Sequence, residues 1–596
     1  MIKISAIKIQ RLLKESLFLC RQGKIVEAKK IYYSLLDSIP NHPEVLGNLG
    51  TIELQEGNTV LGILYLQKAI ISSPNEINFI LNLANGLIET GRANEALNYL
   101  ETAENLNPNL INVLYNKARA LKALNKFTDA IVCLDKCLQK EPKNYLALVD
   151  HGFLHNLINN YHFAIESYSK AIQVNPNHFM TYYNRGIAYE NLNDLNDALK
   201  DYNLAIQKNP QFELAMFNKC GVFIKQKKFI EALDLINDLI HGNKFNEHYF
   251  IKKSFIYEEI KDFDKAIDNY DYAIKLNTES KEAKAKKSYL YLALDLFKDG
   301  WILYENRFWD KAIKSQIKPL LREFNTSDKT IFIWAEQGIG DQIIYASLLF
   351  DAFKTKNKFY VSVDSRLISL FKRSFSQFDN VTFISADEKL LESKYDFHLP
   401  MGSLGKFFRN SIQDFDTHPL AYLKADQREV DSLKKELKKE GFKVCGISWK
   451  SNNKEIGEAK TLSLTQLLPI LSIPNTIFID LQYDDNLEEK EKFLNEYGIE
   501  IKSINEIDNY NNLDGLTSLI DACDYIVTIS NATAHIAGAL HKETYLLLPY
   551  AFGKIWYWGE SRDYSLWYPA VKIYRNTKSH SWDETIDDLS KKIRAR

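Results

Sequence analysis

The sequence predicts two architectures in series: an all-α solenoid of helical repeats, then an α/β region of two Rossmann-like subdomains. Three observations predict this. Prolines stand at Pro40, Pro74, Pro108, Pro142, Pro176 and Pro210, each 34 residues from the last. Twelve positions before each lies a small residue, and this column continues over eight units: Ala28, Gly62, Ala96, Ala130, Ala164, Ala198, Ala232, Ala266. Beyond about Gln316 the period stops, and short apolar, β-branched runs alternate with helical stretches.

Bulk properties set the frame. At 596 residues the chain exceeds one core, so two to four domains are expected. A net charge of −2 gives no global field for nucleic acid or an anionic membrane. The six cysteines are scattered, and the one close pair, Cys133 and Cys137, reads as small core residues rather than a metal or disulfide site. Sparse cysteine, no signal-type apolar core at the N-terminus and no apolar run of about 18 residues predict a cytoplasmic protein without a transmembrane segment.

The repeats come first in the chain. Further small columns lie at Ala69, Ala103, Ala171, Ala205 and Ala273, and near Gly50, Ala84, Ala118, Gly152 and Gly186. Small side chains let paired helices approach, and a proline after the second helix stops it. The pattern resembles the tetratricopeptide repeat (TPR). The last two units replace proline with Lys244 and Thr278, and a partial ninth unit at 281–308 is expected to cap the array, giving a solenoid over 1–316. The resemblance implies a superhelical groove that holds a protein or peptide. The bland alternative is that the repeats only dimerise or support the rest of the chain.

Strands are predicted at 330–334, 358–363, 381–384 and 396–399, and again at 444–449, 476–481, 499–504, 525–529 and 544–548. Such β/α alternation implies parallel sheets covered on both faces. A charged helical stretch at 426–440 divides two subdomains, 317–435 and 436–596, with a ligand crevice at the carboxyl ends of their strands.

Two loops carry the chemistry. After the strand 525–529 comes a polar elbow, Ser530-Asn531-Ala532-Thr533, and a helix containing His535 and Gly538. A strand emptying into a helix N-terminus is suited to an anion such as a nucleotide diphosphate. After the strand 330–334, Gly338 and Gly340 allow a tight turn, and Asp341 opens a helix as a cap or a carboxylate presented to the crevice.

GIGD at 338–341, DFHLPMGSLGKFF near 400, ISWKSN at 447–452, KTLSL at 460–464, SNATAHIAGAL at 530–540 and WYWGESRDYSLWYPAVKIYRN at 556–576 occur in that order. Together they resemble the family 9 glycosyltransferases related to ADP-heptose:lipopolysaccharide heptosyltransferases, and more closely the bacterial proteins that join TPR repeats to such a domain. The resemblance implies a GT-B fold, donor binding in the C-terminal subdomain, and a last helix near 582–593 packed back towards the first subdomain.

It also implies roles. Asp341 would be the general base for an acceptor hydroxyl. His535 would stabilise the departing diphosphate. Ser530, Asn531, Thr533, Gly538, Gly338 and Gly340 would line the substrates, with Lys450 and Lys460 as cations and Gln482 near the base or ribose. The family's Asp-Thr pair is here Ser530-Asn531, which leaves the donor sugar unnamed. Trp556, Trp558, Trp567 and Tyr568 read as core, with Tyr557 or Arg562 able to reach the crevice. Asp484-Asp485 lacks a partner ligand, so metal-independent, inverting transfer is expected, with a nucleotide sugar as substrate and no cofactor. The competing expectation is a TPR protein-binding scaffold with a catalytically inactive transferase-like domain.

Overall fold

The structure, a computed structural model, describes residues 6–108, 110–308, 318–417, 419–453, 456–483, 486–550, 555–576 and 581–595. Two compact units divide the chain, Met1–Gly242 and Asn243–Arg596.

In the first unit, helices from Ala6–Arg21 to Phe229–Gly242 pair in the 34-residue rhythm. The small columns lie where the pairs cross. Ala28, Ala96, Ala130, Ala164, Ala198 and Ala232 are fully buried. Gly50 and Gly62 face one another so closely that a Cβ on either would come within 2.9 Å of the other's carbonyl oxygen. A further column, not anticipated, sits in the turn inside each pair. Gly23, Gly57, Gly91, Asn125, Asn159, Asn193 and Lys227 all have φ between 59 and 83°. A left-handed residue there reverses the chain, and glycine or asparagine adopts that conformation most easily.

The second unit begins with two more helix pairs, Glu247–Glu259 with Phe263–Leu276 and Lys281–Ala293 with Phe297–Tyr304. The expected capping unit at 281–308 is the second of these. It does not end at solvent: Phe297, Trp301 and Tyr304 are buried in one core with the first sheet. Trp301 Nε1 donates to the Arg409 carbonyl at 2.7 Å. The expected 316/317 boundary lies outside the described residues.

The first sheet contains β1 (Thr330–Trp334), β2 (Lys358–Val363), β3 (Val381–Ser385) and β4 (Phe397–Pro400), all parallel, in the order β3-β2-β1-β4. The second contains β5 (Lys443–Ser448), β6 (Thr476–Asp480), β7 (Ile501–Lys502), β8 (Tyr525–Ile529), β9 (Thr544–Leu548) and β10 (Val571–Arg575), also parallel, in the order β10-β9-β8-β5-β6-β7. β8 and β9 are buried at every residue, as strands covered on both faces require.

Three expectations change here. The strand at 499–504 shrinks to two residues at the sheet edge. β10 was not anticipated. The last helix, Asp583–Arg594, does not turn back to the first sheet. Its apolar face (Ile586, Leu589, Ile593) is buried with β5 and β8 residues of the second sheet, and Ser590 Oγ donates to the Pro469 carbonyl at 2.7 Å.

Candidate functional site

At the C-terminal end of β8 the chain turns at Ser530 into the helix Ala532–Ala539, with Asn531 as its N-cap. The apolar helix is buried from Thr533 to Ala539. Its Asn531 side chain accepts from Ala534 N–H at 3.4 Å and donates to Ser448 Oγ at 2.7 Å, tying the elbow to β5. Thr533 Oγ1 donates to the Leu481 carbonyl at 3.5 Å.

The protein's own rings cover this elbow. Trp558 Nε1 donates to Ser530 Oγ at 2.9 Å, and its indole stacks on His535 with centroids 5.1 Å apart. His535 Nδ1 lies 2.9 Å from the Tyr568 hydroxyl and Nε2 3.2 Å from the Tyr557 hydroxyl, so both ring nitrogens are engaged. Burial, and second the Lys460 cation, push its pKa down to about 3, so the ring is neutral at physiological pH. A Cβ on Gly538 would fall 2.5 Å from the Tyr568 ring.

Facing the elbow is the helix Ile339–Phe353, which follows β1 and has Gly338 as its extended N-cap. A Cβ on Gly340 would lie 2.7 Å from His535 Cδ2, so the two helices touch where a crevice was expected. Asp341 sits in the first turn. Burial, then the Glu336 carboxylate, push it up to about 7, against backbone N–H donors and the Lys460 cation. Lys460 is buried, donates from Nζ to the Ser530 carbonyl at 3.0 Å, and is pushed down to about 8 by burial. It ends the short helix Gly457–Lys460 rather than opening one.

Glu336 is tied up by a residue that the sequence motifs do not mark. Arg307, just past the last repeat helix, grips it in a bidentate pair at 2.8 and 2.9 Å, with both side chains 1% exposed. Glu336 also accepts from Gly402 N–H at 2.6 Å. Tyr304 and Tyr345 share a 2.5 Å hydroxyl contact beside it.

The remaining candidates lie further out. Gln482 is buried and staples the end of β5, its Oε1 accepting from Ser448 Oγ and from the N–H groups of Trp449 and Lys450 at 2.9–3.1 Å. Lys450 pairs with Glu489 at 2.6 Å. The structure therefore gathers Asp341, Lys460, Ser530 and His535 in one cluster with Gly340. Gln482, Asn531 and Thr533 become internal ties, and Lys450 takes a partner outside the cluster. Trp558 and Tyr568 do pack as core, but against the elbow itself. Arg562 pairs with Asp295, and Asp484-Asp485 lies outside the described residues.

A second feature belongs to the repeats. Asn48, Asn82, Asn116, Asp150, Asn184 and Asn218 form another 34-residue column, on the first helix of six successive pairs. Side chains bridge neighbouring first helices along it. Asn82 Nδ2 donates to Thr51 Oγ1 at 2.9 Å, Tyr115 donates to Asp150 at 2.7 Å, and Asn218 Nδ2 donates to the Tyr183 hydroxyl at 3.3 Å. The period of this column is legible in the sequence, although the small-residue columns stand out more strongly.

Comparison with known proteins matches tetratricopeptide-repeat families at residues 87–150, 158–193 and 180–212. Protein FlbA of Caulobacter vibrioides is 29% identical over 325 residues, 51% of this chain, and the chain spans about half (53%) of that relative's length. A tetratricopeptide repeat protein from Parabacteroides merdae aligns over 41% of this chain and 96% of its own at 18% identity, with a TM-score of 0.34. The MamA protein aligns over 28% and 92% at 21% identity, with a TM-score of 0.27. The chain thus carries tetratricopeptide repeats, matched within 87–212, ahead of a C-terminal α/β region of two parallel sheets.

These findings correct the expectation of a glycosyltransferase, its GT-B label and its nucleotide-sugar substrate. The matched families are repeat families, and the relative that aligns over half of this chain is not named for sugar transfer. The geometry gives a physical reason. The rings and amides that would have held a donor diphosphate are spent on Trp558, Tyr557, Tyr568 and Ser448. Among the described residues no helix is long and apolar enough to cross a membrane.

Proposed function

We propose that this protein is a binding scaffold: its repeats hold an extended segment of a partner protein, and its α/β region is a closed, non-catalytic body. The observation that carries the reading is the asparagine column. Five of its six positions are asparagines, whose amides offer two donor and two acceptor sites that the contacts along the column use only in part; the sixth, Asp150, accepts from Tyr115 and Lys122. A ladder of such groups matches the backbone of an extended peptide whatever its side chains, because every peptide unit offers one donor and one acceptor. Stacked repeats present such columns along a continuous groove.

In this reading Asp341, Lys460 and His535, with Gly338 and Gly340 at the turn, balance charge and packing between the two sheets. Ser530, Asn531, Thr533, Gly538 and Gln482 hold the elbow shut. The order of the second sheet, with β5 first in sequence and central, supports a Rossmann-like description of that half, since it follows the 3-2-1-4-5-6 pattern.

The test uses the full chain. A binding peptide selected from a random library on the wild-type protein is titrated against a triple Asn82→Ala, Asn184→Ala, Asn218→Ala variant. We expect at least tenfold weaker binding with unchanged helical circular dichroism. Equal affinity would remove the column from the binding surface. A panel of nucleoside diphosphates at millimolar concentration should leave the unfolding midpoint unmoved, whereas a clear upward shift would show an open anion site at the elbow.

A further inference from the structure

The amide ladder is indifferent to a partner's side chains, but the rest of that face is not. Positions i, i+3 and i+7 of a helix share one face. On the first helices of the pairs they make three further 34-residue columns, and two of these change character midway. The column Glu44, Asn78, Asn112 continues as Leu146, Met180, Leu214. The column Thr51, Asn85, Arg119 continues as Phe153, Ile187, Gly221. The middle column holds Tyr115 and Tyr183, whose hydroxyls meet Asp150 and Asn218, so the face passes directly from one first helix to the next. It therefore switches from polar to apolar between the helices Ile111–Ala123 and Tyr145–Leu157. In the apolar half Leu146, Phe153 and Leu214 are 59, 39 and 56% exposed. Large apolar side chains open to solvent in one aligned stretch mark an interaction surface, unlike apolar residues scattered singly.

Two cations stand at the switch. Lys122 is neutralised by Asp150 at 2.7 Å and lies 5.5 Å from the centre of the Phe153 ring. Arg119 is not neutralised. Its Nη1 donates to the amide oxygens of Asn85 at 2.6 Å and Asn116 at 3.1 Å, and among the described residues no carboxylate pairs with it. Two neutral amides fix the guanidinium in place and leave its charge and further N–H groups for a ligand. A guanidinium held in this way is complementary to a carboxylate.

We propose that the partner segment joins an acidic residue to apolar ones: it sets a carboxylate against Arg119 and lays bulky aliphatic or aromatic side chains over Leu146, Phe153, Met180, Ile187 and Leu214. The inference rests on the scaffold reading above and adds the side-chain preference that the amide ladder lacks. The spacing follows from the stacking of the helices. Packed helices lie about 8–10 Å apart, and an extended chain advances about 3.1–3.3 Å per residue, so each step to the next first helix takes up about three residues. The carboxylate and the apolar side chains therefore recur about every third residue along the partner.

The test is selection of peptides from an unbiased random library on the full chain, followed by sequencing and by fluorescence titration of the most enriched peptide. Peptides that join an acidic residue to apolar residues at that spacing should be enriched. Leu146→Ser/Phe153→Ser/Leu214→Ser, at exposed positions that folding does not need, should bind at least about tenfold more weakly. In Arg119→Gln the affinity should fall less steeply with added salt than in the wild type. Selected peptides with neither bias would overturn this inference and leave the amide-ladder reading standing, whereas the absence of any selected peptide would overturn both. A wild type that sediments as a dimer, with the triple serine variant a monomer, would assign the face to a second copy of the chain and likewise overturn the proposal. The wild-type selection decides between these outcomes even where a variant fails to fold.

Discussion

Asp341 and His535 should pull the acid stability of the second unit in opposite directions, and replacing one should expose the other. His535 is held at about 3 in the fold against an ordinary 6.5. Its contribution is complete above pH 6.5 and is lost as pH falls from there towards 3. Asp341 is raised from 3.8 to about 7, so its ionised form is penalised in the fold. That penalty is absent below pH 3.8 and grows as pH rises to 7. Each group changes stability by about 1.4 kcal/mol per pH unit in its window, with opposite sign, so the two nearly cancel between pH 3.8 and 6.5. Asp341→Asn removes one slope while keeping the shape. The variant should match the wild type near pH 4 and exceed it by up to about 4 kcal/mol at pH 8, the shift of about three units converted at 1.36 kcal/mol each. Urea unfolding followed by tryptophan fluorescence reads this unit alone, because all eight tryptophans lie at residue 301 or beyond. Taking the difference between the two proteins at each pH cancels the titrating groups that do not feel Asp341; Lys460, whose pKa the Asp341 carboxylate raises, is the coupled one. A difference that stays constant from pH 4 to 8 would refute the buried-carboxylate argument.

Two further outcomes follow from the same cluster. Lys460→Met removes the cation that depresses His535 and opposes the rise of Asp341, so both pKa values should move up, measured by NMR titration of the His535 ring and by the pH dependence of unfolding. Gly340→Ala places a methyl 2.7 Å from a ring fixed by two hydroxyls and an indole, and should cost about 1–3 kcal/mol in the same urea assay. A neutral effect would mean that the two helices part easily and that the elbow can open.

The repeats were legible because their physics is local and recurrent. A small residue is needed wherever two helices cross, and a fixed spacing exposes it even where the proline is lost, as at Lys244 and Thr278. The strands were legible for a similar reason: covered parallel strands are continuous apolar runs, and β1, β2, β8 and β9 fall where such runs lie. β10 (VKIYR) alternates buried and half-buried residues at a sheet edge, so it lacks that run. The elbow was legible as a strand-to-helix turn but not as an open or a closed one. That difference rests on Trp558 reaching back 28 residues to Ser530 and on Arg307 reaching forward 29 to Glu336, pairings that leave no spacing rule in the chain. A motif of small and polar residues therefore specifies a place where an anion can sit. Whether one does is decided by what the rest of the fold puts there first, and here the aromatic turn Trp556–Trp558, anchored by Trp301 with centroids 5.4 Å apart, fills it. The last helix pair thus has a role beyond capping: by seating that turn, it holds the elbow in its closed form.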